Sequence, residues 1–587
     1  MACWKRSPGI FNFAVPHPRG KQKPHGLSRP GEALEVGPLI RTFSFAVLLA
    51  AIIARPVPSS AVDARHEMVA AEGDLAAEAG LGVLKRGGNA VDAAVATSLA
   101  LGVTNSGSCG IGGGGFMLIY WAKQHRLYGL DYRERAPMAA TAAMYMRSGK
   151  ADEELARNGP LAVAVPGELA GLDAALRRFG TMKFAALAAP AIKLAHDGFP
   201  ITPHMADDIR LTASKISQDA GFRLIFFDDA GAPLKAGAIA YNRKLAALLE
   251  GLGNEPVTDF YHGKTARQIV GYMKQRGGIL TLGDLADYSP VWRAPISIGY
   301  RGYQVYTMPP PSSGGVVLEI LAMLESDPVS GFGVDSPLYV ARLIQLMRQG
   351  FIDRADYADP AYVTVPLAHL LSAKHVAEAR AIALHHAGSP GITVAHDHGT
   401  SNFCVVDREG NVVVVTTTIN MIFGAKIMIP ELGLILNDEM DDFTVAPGVP
   451  NAFKLVQATA NEVAPGKRPL SSMSPVIVLK NNQPILAAGA SGGPTIISGV
   501  VQVVLNELDF HLDPEQAVAE PRIHDQAVPD IVLIETNMPA KTNAALAQMG
   551  YRLKAVSELG AVNSIEITPG KLRGAFDQRK GGGVAGD

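Results

Sequence analysis

A short, largely apolar run from Asn402 to Val406 and a β-branched run from Val412 to Thr418 flank the polar, glycine-containing cluster Asp407 to Asn411. That pattern predicts a buried hairpin with Thr400 at the tip of its first strand. Upstream, Asp74 to Lys85 and Ala90 to Val103 read as helices. Gly87-Gly88 ends the first, and Asn89 opens the second as N-cap with Asp92 three residues on. The glycine-rich stretch Gly107 to Gly115 follows a helix and opens a strand, Phe116 to Trp121. A phosphate-binding loop needs the reverse order, so close backbone packing is the expectation here.

From about residue 160 to 390 the chain mixes helix and loop, with helical patterns near Pro166 to Phe179 and Leu338 to Tyr357. This predicts a large, mostly helical cover over a sheet. After Gly388-Ser389-Pro390 the composition shifts toward β-branched residues, and Lys580 to Asp587 reads as a frayed tail.

With 587 residues, 48% hydrophobic and 18% charged, the chain is globular throughout and too long for one ordinary core. A net charge of −2 and 6% aromatic residues exclude a nucleic-acid partner. Three cysteines make no disulfide framework: Cys3 lies in a leader, and Cys404 sits in an apolar strand as core packing. The apolar run Phe43 to Ala54, flanked by Arg41 and Arg55 and followed by small residues at Ser59 and Ala61, describes an export signal. Residues 1–61 are therefore expected to be a leader, and the protein to be periplasmic or secreted.

The candidate chemistry centres on Gly399-Thr400. If that bond breaks, the threonine hydroxyl becomes a nucleophile and its own α-amine the nearest general base. A period of two along the second strand sends Thr416, Thr418 and Asn420 to one face, beside Thr400. Gly492-Gly493-Pro494-Thr495 fits an oxyanion hole at a helix start, or else a simple glycine turn. His396-Asp397-His398 and His385-His386 lack a third ligand at regular spacing, so a cleavable loop and a helix end account for them better than a metal.

Several segments together resemble the gamma-glutamyltranspeptidases (glutathione hydrolases), N-terminal-nucleophile enzymes made as one self-cutting chain. They are Arg133-Glu134-Arg135-Ala136-Pro137, the Thr400 hairpin, Leu436 to Phe443, Lys467 to Pro475 and Gly492-Gly493. The resemblance spans roughly residues 66 to 580 and implies a four-layer αββα sandwich. It implies a large subunit, 62–399, and a small subunit, 400–587, which form a heterodimer. No metal or organic cofactor is implied. The implied partners are glutathione and other gamma-glutamyl compounds as donors, and water, amino acids or dipeptides as acceptors.

By the same resemblance, Thr400 attacks, Thr418 orients it, and Gly492 and Gly493 hold the oxyanion. Arg133, Ser471 and Ser472 would grip the donor's α-carboxylate; Glu439 and Asp442 its α-ammonium; Asn420 its head-group region. Asn402 departs from the histidine of many relatives, and Phe453 from a tyrosine of some bacterial ones. A glutaryl-type (cephalosporin) acylase of the same fold and an uncleaved periplasmic binding protein are the alternatives.

Overall fold

The predicted hairpin forms the centre of a seven-stranded sheet. Strands Gly399–Val406 and Val412–Asn420 pair antiparallel, with Asp407 closing the turn by accepting from the amides of Glu409 and Asn411. Met68–Ala71 and Gly114–Trp121 flank the hairpin on either side. A second seven-stranded sheet is built around Gln483–Ser491 and its neighbours Val476–Lys480 and Ala561–Thr568. The structure, a computed structural model, describes residues 60–385, 399–446 and 448–587.

Alternation along the hairpin sets the layers. Phe403, Val405, Val413 and Val415 pack outward in one core with helices Asp74–Lys85 and Ala90–Thr104. Cys404, Val406, Val412 and Val414 face the second sheet, where a Cβ on Gly489 would meet Val414 at 3.2 Å. Beyond that sheet lie the helices Gly314–Leu324, Pro337–Asp353 and Thr495–Leu508. The result is the expected helix–sheet–sheet–helix sandwich, with the capping box of Asn89 and Asp92 as read.

Three expectations need correction. The stretch from 160 to 390 is not only a helical cover: Val291–Arg293, Ile296–Tyr300 and Tyr303–Thr307 extend the edges of both sheets. Trp292, Val305 and Tyr300 supply the apolar side chains that let them pack there. The end of the chain is not frayed, because Gly583–Gly586 pairs with Met68–Ala71, and glycines let it pass tightly against Asp74. Ser60 and Ala61 belong to the fold: Ser60 bonds Glu515, and strand Ala61–Ala64 pairs with Lys571–Ala575. The remainder of the leader, Gly388-Ser389-Pro390, His386 and His396-Asp397-His398 lie outside the described residues.

Candidate active site

Thr400 stands opposite Thr418, and their hydroxyl oxygens are 3.0 Å apart. The Thr418 oxygen is also 2.8 Å from the carbonyl oxygen of Gly399 and accepts the backbone N–H of Asn420 at 2.8 Å. A hydroxyl has one proton to give. When Thr418 donates to the Gly399 carbonyl, it can still accept from Thr400, so one side chain polarises the Gly399–Thr400 peptide and aligns the hydroxyl beside it.

The register shifts between Gly399 and Thr400, so Gly399 faces Asn420 and no residue of the first strand faces Ile419. The expected alternation therefore holds through Thr418 and fails at Asn420, which takes φ 74° and donates to the Asp438 carbonyl at 3.1 Å. Asp438 in turn accepts the Met421 amide at 2.9 Å, stitching the hairpin to the buried turn Glu439–Asp442.

That turn meets Arg133. Its guanidinium donates to Glu439 and Asp442, to the Pro469 carbonyl at 3.2 Å and to the Leu470 carbonyl at 3.4 Å. Ser471 and Ser472 follow directly. The structure thus gathers Arg133, Glu439, Asp442, Ser471 and Ser472, but Arg133 spends its fork on the chain's own carboxylates rather than presenting it bare. At 1% exposure, a lone guanidinium there would carry a heavy desolvation cost. Burial opposes charge on Arg133, yet Glu439, Asp442 and Glu134 outweigh it and raise its pKa. Burial raises Glu439 and Asp442 in turn, against the pull of Arg133.

The two serines differ. The Ser471 hydroxyl accepts the Met473 amide at 3.1 Å and shapes its own turn. Ser472 accepts from Arg354 at 3.3 Å, and Arg354 also donates to Ser313 at 2.8 Å. Burial lowers the Arg354 pKa to about 10, with Asp442 opposing.

Gly492 and Gly493 both take positive φ, 125° and 58°, immediately before helix Thr495–Leu508. A Cβ on Gly492 would lie 2.7 Å from the Gly560 Cα, so only glycine fits. Pro494 caps the helix rather than sitting inside it. Asn402 donates to the Ala561 carbonyl at 3.1 Å, and Ala561 is the register partner of Ser491. Gly492 therefore begins just past the strand pair on which Asn402 rests, two residues along from Thr400.

Sequence reasoning missed four contributors. Lys580, in the supposed tail, donates to the Thr400 carbonyl at 3.1 Å. Glu72 accepts from Asn402 at 2.6 Å, and burial raises its pKa to about 7. Glu168 accepts from Thr417 at 2.9 Å behind the hairpin, and Arg354 lies beneath Ser472. No spacing rule marks them, because each reaches the site from a distant segment. Cys404 is buried and its thiol pKa raised, in keeping with a packing role.

A family model for gamma-glutamyltranspeptidase matches residues 76–587. The chain belongs to the gamma-glutamyltranspeptidase family. It is 40% identical over 529 residues to a glutathione hydrolase proenzyme of Escherichia coli (strain K12), an alignment covering 88% of this chain and 91% of that one. A glutathione hydrolase proenzyme of Pseudomonas sp. (strain A14) is 37% identical over 570 residues, covering 93% and 99%. Among solved structures, a cephalosporin acylase from Bacillus halodurans superposes with a TM-score of 0.82 at 31% identity, covering 91% of this chain and 98% of its own. This gamma-glutamyltranspeptidase-family chain is an enzyme with the N-terminal-nucleophile fold.

Proposed function

We propose that the chain cuts itself before Thr400 and that the new N-terminal threonine then transfers gamma-glutamyl groups to water or to an amino acid or dipeptide. The contact of the Thr418 hydroxyl with both Thr400 Oγ and the Gly399 carbonyl carries this reading. In the first reaction Thr400 Oγ attacks the Gly399 carbonyl carbon. The peptide C–N bond breaks, an ester forms, and water cleaves the ester to leave a carboxylate on Gly399 and an amine on Thr400.

In the second, the α-amine takes the proton of Thr400 Oγ as it attacks the γ-carbonyl of a donor such as glutathione. The amide N–H groups at Gly492 and Gly493 stabilise the tetrahedral oxyanion. The proton passes to the leaving amine, and an acyl-enzyme ester remains for water or an acceptor amine. Arg133, with Ser471 and Ser472, binds the donor's α-carboxylate; Glu439 and Asp442 bind its α-ammonium; Asn420 borders the same head group. Substrate carboxylate and ammonium replace the internal pairs of Arg133 with new ones of the same sign.

Export to the periplasm or beyond belongs to the same proposal, supported by the apolar run Phe43 to Ala54. N-terminal sequencing of the purified protein should read Thr-Ser-Asn-Phe, and the processed protein should cleave a gamma-glutamyl anilide. One uncut, fully active band would end the proposal. The likeness to a cephalosporin acylase keeps glutaryl amides as a second donor class to be compared.

A further inference from the structure

On the outer helical layer, away from Thr400, three helices bring Glu319, Asp353 and His375 together, with one ligand atom of each within 4.8 Å of the others. Glu319 comes from Gly314–Leu324, Asp353 ends Pro337–Asp353, and His375 lies in Ala373–His385. The Glu319 carboxylate is 0% exposed, and neither of its oxygens accepts a hydrogen bond. Among the described residues its near cation-capable neighbour is His375 Nε2 at 3.4 Å, and that nitrogen is 3.1 Å from Asp353. Leaving a buried carboxylate without donors costs several kcal/mol, a cost met either by a bound cation or by a proton that Glu319 shares with Asp353.

The separations of 3.1 and 3.4 Å match those between ligands bonded at ~2.0–2.1 Å to a tetrahedral ion, which are about 3.4 Å. The surroundings hold the ligands in place. The Gln349 amide donates to both oxygens of Asp353, at 3.1 and 3.2 Å, and the His375 amide is tied to Ser372. Asp353 and His375 keep 14% and 16% of their side chains exposed, which leaves a way in and room for water as a fourth ligand.

We propose that Glu319, Asp353 and His375 bind one divalent transition ion, zinc first. Two carboxylates and an imidazole suit Zn²⁺, whereas Ca²⁺ takes six or more oxygens. The ion ties Ala373–His385, the last described helix before Thr400, to the two helices beneath it. It also fixes Asp353 beside Arg354, whose guanidinium reaches Ser472. The sequence offered no such spacing, since each ligand stands on its own helix.

The test is zinc titration of the purified, chelator-treated enzyme, beside Glu319→Gln and His375→Ala, with metal content and melting temperature as readouts. The wild type should take up one more Zn²⁺ per chain than either variant and melt higher with zinc. Affinity for that ion should fall at least 100-fold in both variants, while each still cleaves a gamma-glutamyl anilide, which shows that it is folded. Equal zinc content in all three proteins, or a wild-type melting temperature that zinc does not move, overturns the site. In that case Glu319, whose pKa burial raises well above the ordinary carboxylate value, is neutral and shares its proton with Asp353.

Discussion

The Lys580 ammonium caps the carbonyl of Thr400 at 3.1 Å, which puts a positive charge within about 6 Å of that residue's own nitrogen. Once Thr400 is an N-terminus, this charge disfavours protonation of its amine and keeps the general base neutral. Glu72 and Glu558 also face Lys580 and offset part of its charge, so the effect is a lowering of the amine's pKa from its ordinary value. Lys580→Met should therefore move the acid limb of the kcat/KM profile to higher pH. An unmoved acid limb in a fully processed variant would show that Lys580 only packs.

Thr400→Ala should remain a single uncut chain without activity, because it lacks the hydroxyl for both reactions. Thr418→Val keeps the shape but removes the donor to the Gly399 carbonyl. Its processing should slow by about 10²–10³, the usual loss for one oxyanion donor. Time courses of band conversion on a gel measure this, and wild-type processing in Thr418→Val would remove Thr418 from the cleavage step.

Donor choice should turn on Asp442, since a gamma-glutamyl group carries an α-ammonium and a glutaryl group does not. The wild type should prefer gamma-glutamyl donors strongly. Asp442→Asn should lose most of that activity and narrow the preference. The comparison needs kcat/KM for both donors in both proteins. An equal loss on both would place Asp442 outside ammonium recognition and advance the acylase reading.

Behind the hairpin, burial raises Glu168 from an ordinary 4.5 to about 7, despite hydrogen bonds from Ser98 and Thr417. Between those values the folded state binds the extra proton, so this group's contribution to stability is complete below about pH 4.5 and is lost as pH rises through 7. Glu168→Gln should cancel up to about 3 kcal/mol of that decline. Denaturant unfolding at pH 5 and pH 7 checks it: parallel pH dependence in both proteins would mean Glu168 is already charged at pH 5.

The hairpin, the first two helices and the residues gathered around Arg133 were legible because each depends on local pattern or on a motif within one short segment. Arg133, Glu439 and Asp442 could be named, but their mutual pairing could not, since 306 and 309 residues separate them. The register at Asn420 was not legible for a physical reason: alternation assumes an unbroken ladder, and a one-residue bulge resets it. Lys580 was misjudged because its glycine-rich setting resembles a loose end, although those glycines are what let the last strand enter the sheet.

Both sheets interleave strands from the two sides of the Gly399–Thr400 bond. In one, Met68–Ala71 lies between Gly583–Gly586 and Gly399–Val406; in the other, Tyr303–Thr307 pairs with Val476–Lys480. Cutting that bond severs one covalent link and no ladder. The halves cannot drift apart without tearing both sheets, so dilution will not dissociate them and neither half made alone has a complete sheet to fold into. Their separation in solution is the same event as unfolding.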